Sequence, residues 1–273
     1  MTDFGSVVSV VRQDLLDIRR GRLMQAVLGL YVLFVGILFV GVGLTEGQTV
    51  STAIQLTVLI GFLFVPLVSL FAGYLAIAGE RESGTIRFLL GYPLERSEVL
   101  LGKYLSRFGL VSVAVGLAFA VAGAVSVQLF DQPRLDAVAT FGGLTLLFAG
   151  SYVGIGIAVS AASDSRGRAM TNTFVMYFVF TLMWSRLSPV TVPQFVAGAA
   201  DLLLGVQLSG GVWQVFTTLS PAEAYFRSLR LLPGGAFETS GSVSTVTVVG
   251  VLLTWIVVPP ALGYLSFVRA EID

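Results

Sequence analysis

The chain has 273 residues, of which 55% are hydrophobic and only 12% charged, with a mean hydropathy of +0.89; soluble domains carry about a quarter charged residues, so a water-soluble globule is excluded. Sixteen basic and sixteen acidic side chains cancel, and no overall field points to nucleic acid or to an acidic substrate. Cysteine and histidine are both absent, which removes disulfides, thiolate nucleophiles, Cys/His metal sites and the commonest general base together.

In chain order, residues 1–22 open as an amphipathic helix. Val7, Val11, Leu15 and Ile18 recur at helical spacing while Arg12, Asp17, Arg19 and Arg20 fall elsewhere around the turn, the pattern of a helix lying on the inner leaflet. Uncharged stretches of spanning length follow at Leu23–Leu44 and at Thr52–Gly79, the second carrying Pro66. Residues 80–103 are too apolar for a solvated loop and too charged for a span. Two short amphipathic helices are expected there, one carrying Ile86, Phe88, Leu89 and Leu90 and stopping near Gly91 and Pro93, the next starting with Ser97 as its N-cap. Exposed Phe and Leu at such a place call for a membrane surface or a groove on another protein.

Further spans are expected at Phe108–Phe130, Ala137–Ala162, Ala169–Trp184 and Val243–Val268, making six. In the fourth, Gly150, Gly154 and Ala158 share one face and suit close helix packing within the bundle or at a subunit interface. Met170, Met176 and Met183 in the fifth read as filler rather than a soft-metal path. Between the fifth and sixth spans lies an outer segment, residues 185–242. Its clearest signal is the capping box Ser220-Pro221-Ala222-Glu223, with Pro at the first helical position and Pro233-Gly234-Gly235 as the stop. Tyr225, Leu229 and Leu232 share a face with Arg227 and Arg230 off it, so this helix is expected to rest on the outer membrane boundary or against neighbouring spans. Upstream, Phe195 to Leu208 is apolar except for Asp201 and is expected to dip partly into the bilayer.

Alternate ends of these spans differ in charge. One side collects Arg12, Arg19, Arg20, Arg22, Arg81, Arg87, Arg96, Lys103, Arg107, Arg166, Arg168 and Arg269, the other only Arg134, Arg186, Arg227 and Arg230. Basic residues resist translocation, so both termini are expected in the cytoplasm of a multi-pass protein of the cell membrane. The expected spans hold no Asp, Glu, Lys, Arg or His, which disfavours a proton-driven carrier. The single lysine stands in Gly102-Lys103-Tyr104, without the spacing or the Ser/Thr of a phosphate-binding loop, so ATP is not hydrolysed here.

Glu80-Arg81-Glu82-Ser83-Gly84-Thr85 resembles the E-R-E-x-G-T signature of ABC-2 type transporter permeases, matching at every defined position. The continuation through Gly91-Tyr92-Pro93-Leu94 and Leu100-Leu101-Gly102-Lys103, preceded by Val65-Pro66-Leu67, is most similar to the NosY-like branch, the permeases associated with maturation of nitrous-oxide reductase. Leu219 to Arg227 also resembles that branch's outer Asn-Pro-x-Asp segment, with Ser and Glu substituted. The resemblance implies an all-α integral membrane protein of one permease domain, residues 1–273, with six spans in a type V exporter-like arrangement. It implies export driven by ATP and Mg on a separate ATP-binding subunit, and a homodimer or heterodimer of permeases in the lipid bilayer. It further implies a coupling helix after the signature that docks on the ATPase, with Glu80, Glu82, Gly84 and Thr85 positioning the loop and Ile86, Arg87, Phe88, Leu89 and Tyr92 contacting the ATPase groove. The alternative is a membrane scaffold that recruits a cytoplasmic partner and transports nothing.

Overall fold

A computed structural model describes residues 4–20, 22–84, 95–185, 188–207, 209–235, 237 and 243–269. The described residues form helices and no strands: α1 (Phe4–Arg20), α2 (Arg22–Gly43), α3 (Val50–Gly73), α4 (Ala78–Glu82), α5 (Arg96–Leu129), α6 (Leu135–Ala162) and α7 (Arg166–Tyr177), which runs on as a π-helical turn, Phe178–Met183. The outer segment contributes α8 (Val192–Leu204), α9 (Gly210–Thr218) and α10 (Pro221–Ser228), followed by a 3-10 turn at Leu229–Leu231; α11 (Thr245–Arg269) closes the bundle.

Among the described residues five helical stretches are long and apolar enough to cross a membrane: Gln25–Gly43, Val50–Glu82, Arg96–Leu129, Leu135–Ala162 and Thr245–Arg269. The stretch expected as the fifth of six spans is divided instead. Its α-helical part, which begins outside the expected span at Arg166, has 12 residues and the π-helical part 6, so neither part alone reaches spanning length. Helix α5 has 34 residues, about 51 Å at the helical rise, and overreaches a hydrocarbon core of about 30 Å. Its first turns therefore stand outside with Arg96, Glu98, Lys103 and Arg107 on them.

Helix α2 shows how the apolar periodicity is used. Tyr31, Val35, Phe39 and Val42 are buried against α3 and α5, while Leu30, Leu33 and Ile37 are exposed on the opposite, lipid-facing side. Helix α6 lies at the centre, with α3, α5 and α11 around it. Glycine makes two of these crossings possible. A Cβ on Gly156 would meet Leu70 O at 2.7 Å and one on Gly73 would meet Ile157 N at 2.8 Å, so α3 and α6 touch backbone to backbone. On the other face Gly154 approaches Trp255 O, Gly150 lies under Phe108 and Ile256, and Ala158 meets Gly263, so this small-residue stripe packs within the chain on α5 and α11. Pro259 and Pro260 interrupt the hydrogen-bond ladder of α11. The Ile256 carbonyl that Pro260 leaves without its helical donor accepts from Tyr104 Oη at 2.9 Å.

Of the two seats expected for the helix at 220–232, the outer membrane boundary or the neighbouring spans, the structure shows the second. Pro221 to Tyr225 are all buried, and the Tyr225 ring stacks on Phe148, near the midpoint of α6. Arg227, expected off the apolar face, is buried too. It pairs with Glu223 (Nε to Oε1, 2.9 Å) one turn back and donates from Nη2 to Thr217 Oγ1 at 3.1 Å. A charged pair at i,i+4 neutralises itself and can enter a bundle that a lone arginine cannot. Trp184 Nε1 and Trp255 Nε1 donate to the carbonyls of Thr217 and Leu219, at 3.0 and 2.7 Å, and hold the α9–α10 turn inside.

Candidate functional site

The Glu80-Arg81-Glu82 signature lies on α4, a single turn split from α3 by the turn at residues 74–77. Its free N-terminal amides are satisfied from far away in sequence: Ser160 Oγ of α6 accepts from Ile77 N at 2.9 Å and Ala78 N at 3.0 Å. Each of the three charges then ties α4 to a different helix.

Glu80 Oε1 receives Lys103 Nζ of α5 at 2.5 Å. Arg81, with a side chain 10% exposed, donates from Nη1 to Ser163 O at the end of α6 (3.3 Å) and lies over the Phe267 ring of α11, 5.2 Å from its centroid. Glu82 accepts from the backbone N–H of Arg166 at 2.6 Å, at the N-terminus of α7, where a carboxylate meets the positive end of the helix dipole. The stem is held from the other side as well. Arg96, the first residue of α5, covers Phe267 at 5.6 Å and donates from Nη1 to the carbonyls of Phe267 and Val268 at 2.8 and 3.0 Å, capping the end of α11.

Between these stems the chain leaves α4 at Gly84, whose φ is +73°. An added Cβ there would meet nothing within 4 Å, so the left-handed backbone alone calls for glycine. The chain re-enters α5 through a capping box in which the Glu95 N–H donates to Glu98 Oε2 at 3.0 Å. Glu95, rather than Ser97, is therefore the N-cap; Ser97 Oγ donates to the Glu95 carboxylate at 3.1 Å. Thr85, Ile86, Arg87, Phe88, Leu89 and Tyr92, with the helix expected over 86–90, lie outside the described residues.

A second finding is the part taken by α1. Its buried face is Val7, Val10 and Asp14, turned from the expected stripe of Val7, Val11 and Leu15; Leu15 and Leu16 are exposed. The rotation follows from α5. Gly102 lets α1 cross so closely that an added Cβ would sit 2.6 Å from Val10, and the next turn brings Asp14 onto a basic cluster. Lys103 Nζ is 3.3 Å from Asp14 Oδ1. Arg107 sets its guanidinium on the same carboxylate, Nη2 at 3.0 Å from Oδ1 and Nε at 2.9 Å from Oδ2, and Ser106 Oγ donates to Oδ2. Burial raises the Asp14 carboxyl, but the charges of Arg107 and Lys103 and the Ser106 hydroxyl outweigh it and hold it below the usual aspartate value. Lys103 is 2% exposed and Asp14 4%.

Sequence reasoning missed Asp14, Arg107 and Ser160 as structural partners. Two signals point to the cluster: an aspartate at i+4 from Val10 and i+7 from Val7, inside an apolar stripe, and a single lysine in a chain whose other fifteen basic residues are arginine.

A family model described as "ABC-2 family transporter protein" matches residues 8–272, nearly the whole chain. The chain belongs to the ABC-2 transporter family. Two curated relatives agree with this ABC-2 membership. A "Probable ABC transporter permease protein NosY" from Stutzerimonas stutzeri is 30% identical over 291 residues, covering 96% of this chain and 98% of the relative. A protein of the same description from Pseudomonas aeruginosa is 30% identical over 226 residues, 75% of this chain and 82% of the relative. As a member of the ABC-2 family the chain is a multi-pass membrane permease subunit.

Proposed function

We propose that the chain couples ATP hydrolysis on a separate nucleotide-binding subunit to export of a substrate, with two permease copies forming the path between them. In this reading the chain crosses the membrane six times, both termini are cytoplasmic, and residues 169–184 form the fifth crossing. ATP and Mg are held by the partner chain. Glu80, Glu82, Gly84 and Thr85 position the loop, and Ile86, Arg87, Phe88, Leu89 and Tyr92 enter the ATPase groove.

The observation that supports this reading best is the threefold anchoring of α4. Its charges reach α5 (Glu80 to Lys103), α6 and α11 (Arg81), and α7 (Glu82 to Arg166 N). A push on the apolar loop that begins at Gly84 is thereby shared among four helices at once, which is what a two-state rearrangement of a bundle requires. The basic residues sort in the same sense. Arg81, Arg96, Lys103, Arg107 and Arg166 gather around α4, whereas Arg134 and Arg230 lie at the far end beside Gly234 and Val243.

Coexpression with the nearest encoded ABC ATPase, purification in lipid and measurement of ATP turnover test the proposal. Stoichiometric copurification with altered turnover is expected, and Phe88→Asp is expected to abolish both while the chain still inserts. Association that is absent in the unaltered chain, or unchanged in Phe88→Asp, overturns it. Reporter fusions after Arg186 and Asp273 check the orientation, with an external and a cytoplasmic signal expected respectively.

A further inference from the structure

Helix α1 meets the loop root through charge as well as apolar contact. Its apolar contact with α5, Val7 and Val10 over Gly102, lies a turn before Asp14, and Leu15 and Leu16 face outward. At Asp14 four groups of alternating sign line up. Arg107 meets Asp14 at 2.9 Å, Asp14 meets Lys103 at 3.3 Å, and Lys103 meets Glu80 at 2.5 Å. The Lys103 ammonium thus bonds to α1 and to the signature helix α4 together. In so buried a place either contact is hard to break, because parting the ions leaves an uncompensated charge in a low dielectric. Helix α1 is in turn joined to the first span, α2, by the single residue Gly21.

We propose that Lys103 is a positioning residue that makes α1 part of the moving coupling unit. When the loop between Gly84 and Glu95 is displaced, Lys103 carries α1 with α4 and α5 and so passes the stroke to the start of α2, beside the packing of α2 on α3 and α5. This rests on the permease reading above for the source of the stroke; the tie itself does not.

Two measurements separate them. The first uses the full chain alone in lipid nanodiscs and reads amide exchange over residues 7–16. Lys103→Met is expected to speed exchange in α1 on the order of tenfold, Lys103→Arg to leave it near the unaltered rate, and Asp14→Asn, which keeps the Lys103–Glu80 pair, to loosen α1 as Lys103→Met does. Unchanged exchange in both Lys103→Met and Asp14→Asn overturns the tie; if Lys103→Met fails to insert, Asp14→Asn decides it. The second uses the complex with the ATPase. Because the chain has no cysteine, spin labels at Leu16→Cys and Leu265→Cys report one distance, expected to shift on ATP binding in the otherwise unaltered chain and to stay fixed in Lys103→Met with the ATPase still bound. A shift that persists in Lys103→Met, or no shift in the unaltered chain, overturns the proposed role. Failure of the ATPase to bind the unaltered chain overturns the permease reading and the stroke with it, while the exchange result still decides the tie.

Discussion

The rings of Tyr225 and Phe148 lie parallel, 2° apart in plane and 4.1 Å between centroids, and Tyr225 Oη is 3.0 Å from Thr145 Oγ1. This contact draws α10 into the middle of the bundle. Tyr225→Phe keeps the stack and loses one interhelical hydrogen bond, expected to cost about 0.6 kcal/mol in a membrane setting. Tyr225→Ala empties the site and is expected to cost about 3 kcal/mol or more. Thermal unfolding in detergent checks the ranking, and equal effects of the two substitutions would contradict it.

Glu223 and Arg227 are both more than nine-tenths buried. Arg227→Met removes the cation that neutralises the buried Glu223 carboxylate and is expected to destabilise by about 3–5 kcal/mol. The double change Glu223→Gln with Arg227→Met is expected to recover most of that loss, since replacing a whole buried pair is often near neutral. A double-mutant cycle by detergent melting reads the coupling; additive losses would mean that the pair does not act as a unit.

Gly84 needs its positive φ and nothing else, because the space around an added Cβ is open. Gly84→Ala is therefore expected to cost about 1–2 kcal/mol through backbone strain alone and to weaken association with the ATPase, with Gly84→Asn milder. Copurification yield against insertion yield separates the effects, and an alanine variant that binds normally would show that the turn is not required.

At the α3–α6 crossing a side chain on Gly156 would meet backbone rather than a movable side chain, with Leu70 O at 2.7 Å. Gly156→Val is expected to force the helices apart and destabilise by about 1–3 kcal/mol or more, whereas Gly143→Ala, which meets nothing within 4 Å, is expected to be neutral. Size-exclusion profiles after stepwise heating compare the two.

Asp14 gives a pH dependence of defined sign. Its carboxyl is held below the ordinary value, so the unfolded chain binds the proton more readily. The stabilisation is complete above the unfolded value of about 3.9 and is lost as pH falls through the lower folded value. A spin label at Leu16→Cys is expected to keep its mobility from pH 7 down to about 4 and to loosen below that. Loosening between pH 7 and 5 would show that Asp14 is not the group that holds α1.

The long apolar runs and the E-R-E-x-G-T run were enough to determine a polytopic helical protein and the family to which it belongs. These are local and compositional facts: the hydrocarbon requires spans of a certain length, and the signature is contiguous. The glycine at 84 was legible for the same reason, since a bend is a property of one residue's backbone. The partners of the signature were not. Ser160 capping α4, Asp14 meeting Lys103 across 89 positions and Phe267 lying beneath Arg81 and Arg96 each join segments far apart in the chain. Whether α10 sits at the outer boundary or against the spans was left open by the sequence, because Arg227 reads as a surface charge until Glu223, Thr217 and the depth of Phe148 are placed around it. Which face of α1 is buried was likewise decided by α5, whose Gly102 opens the crossing and whose Lys103 and Arg107 draw Asp14 inward. Periodicity sets that a helix has a buried side, but only the neighbour that packs on it selects the side.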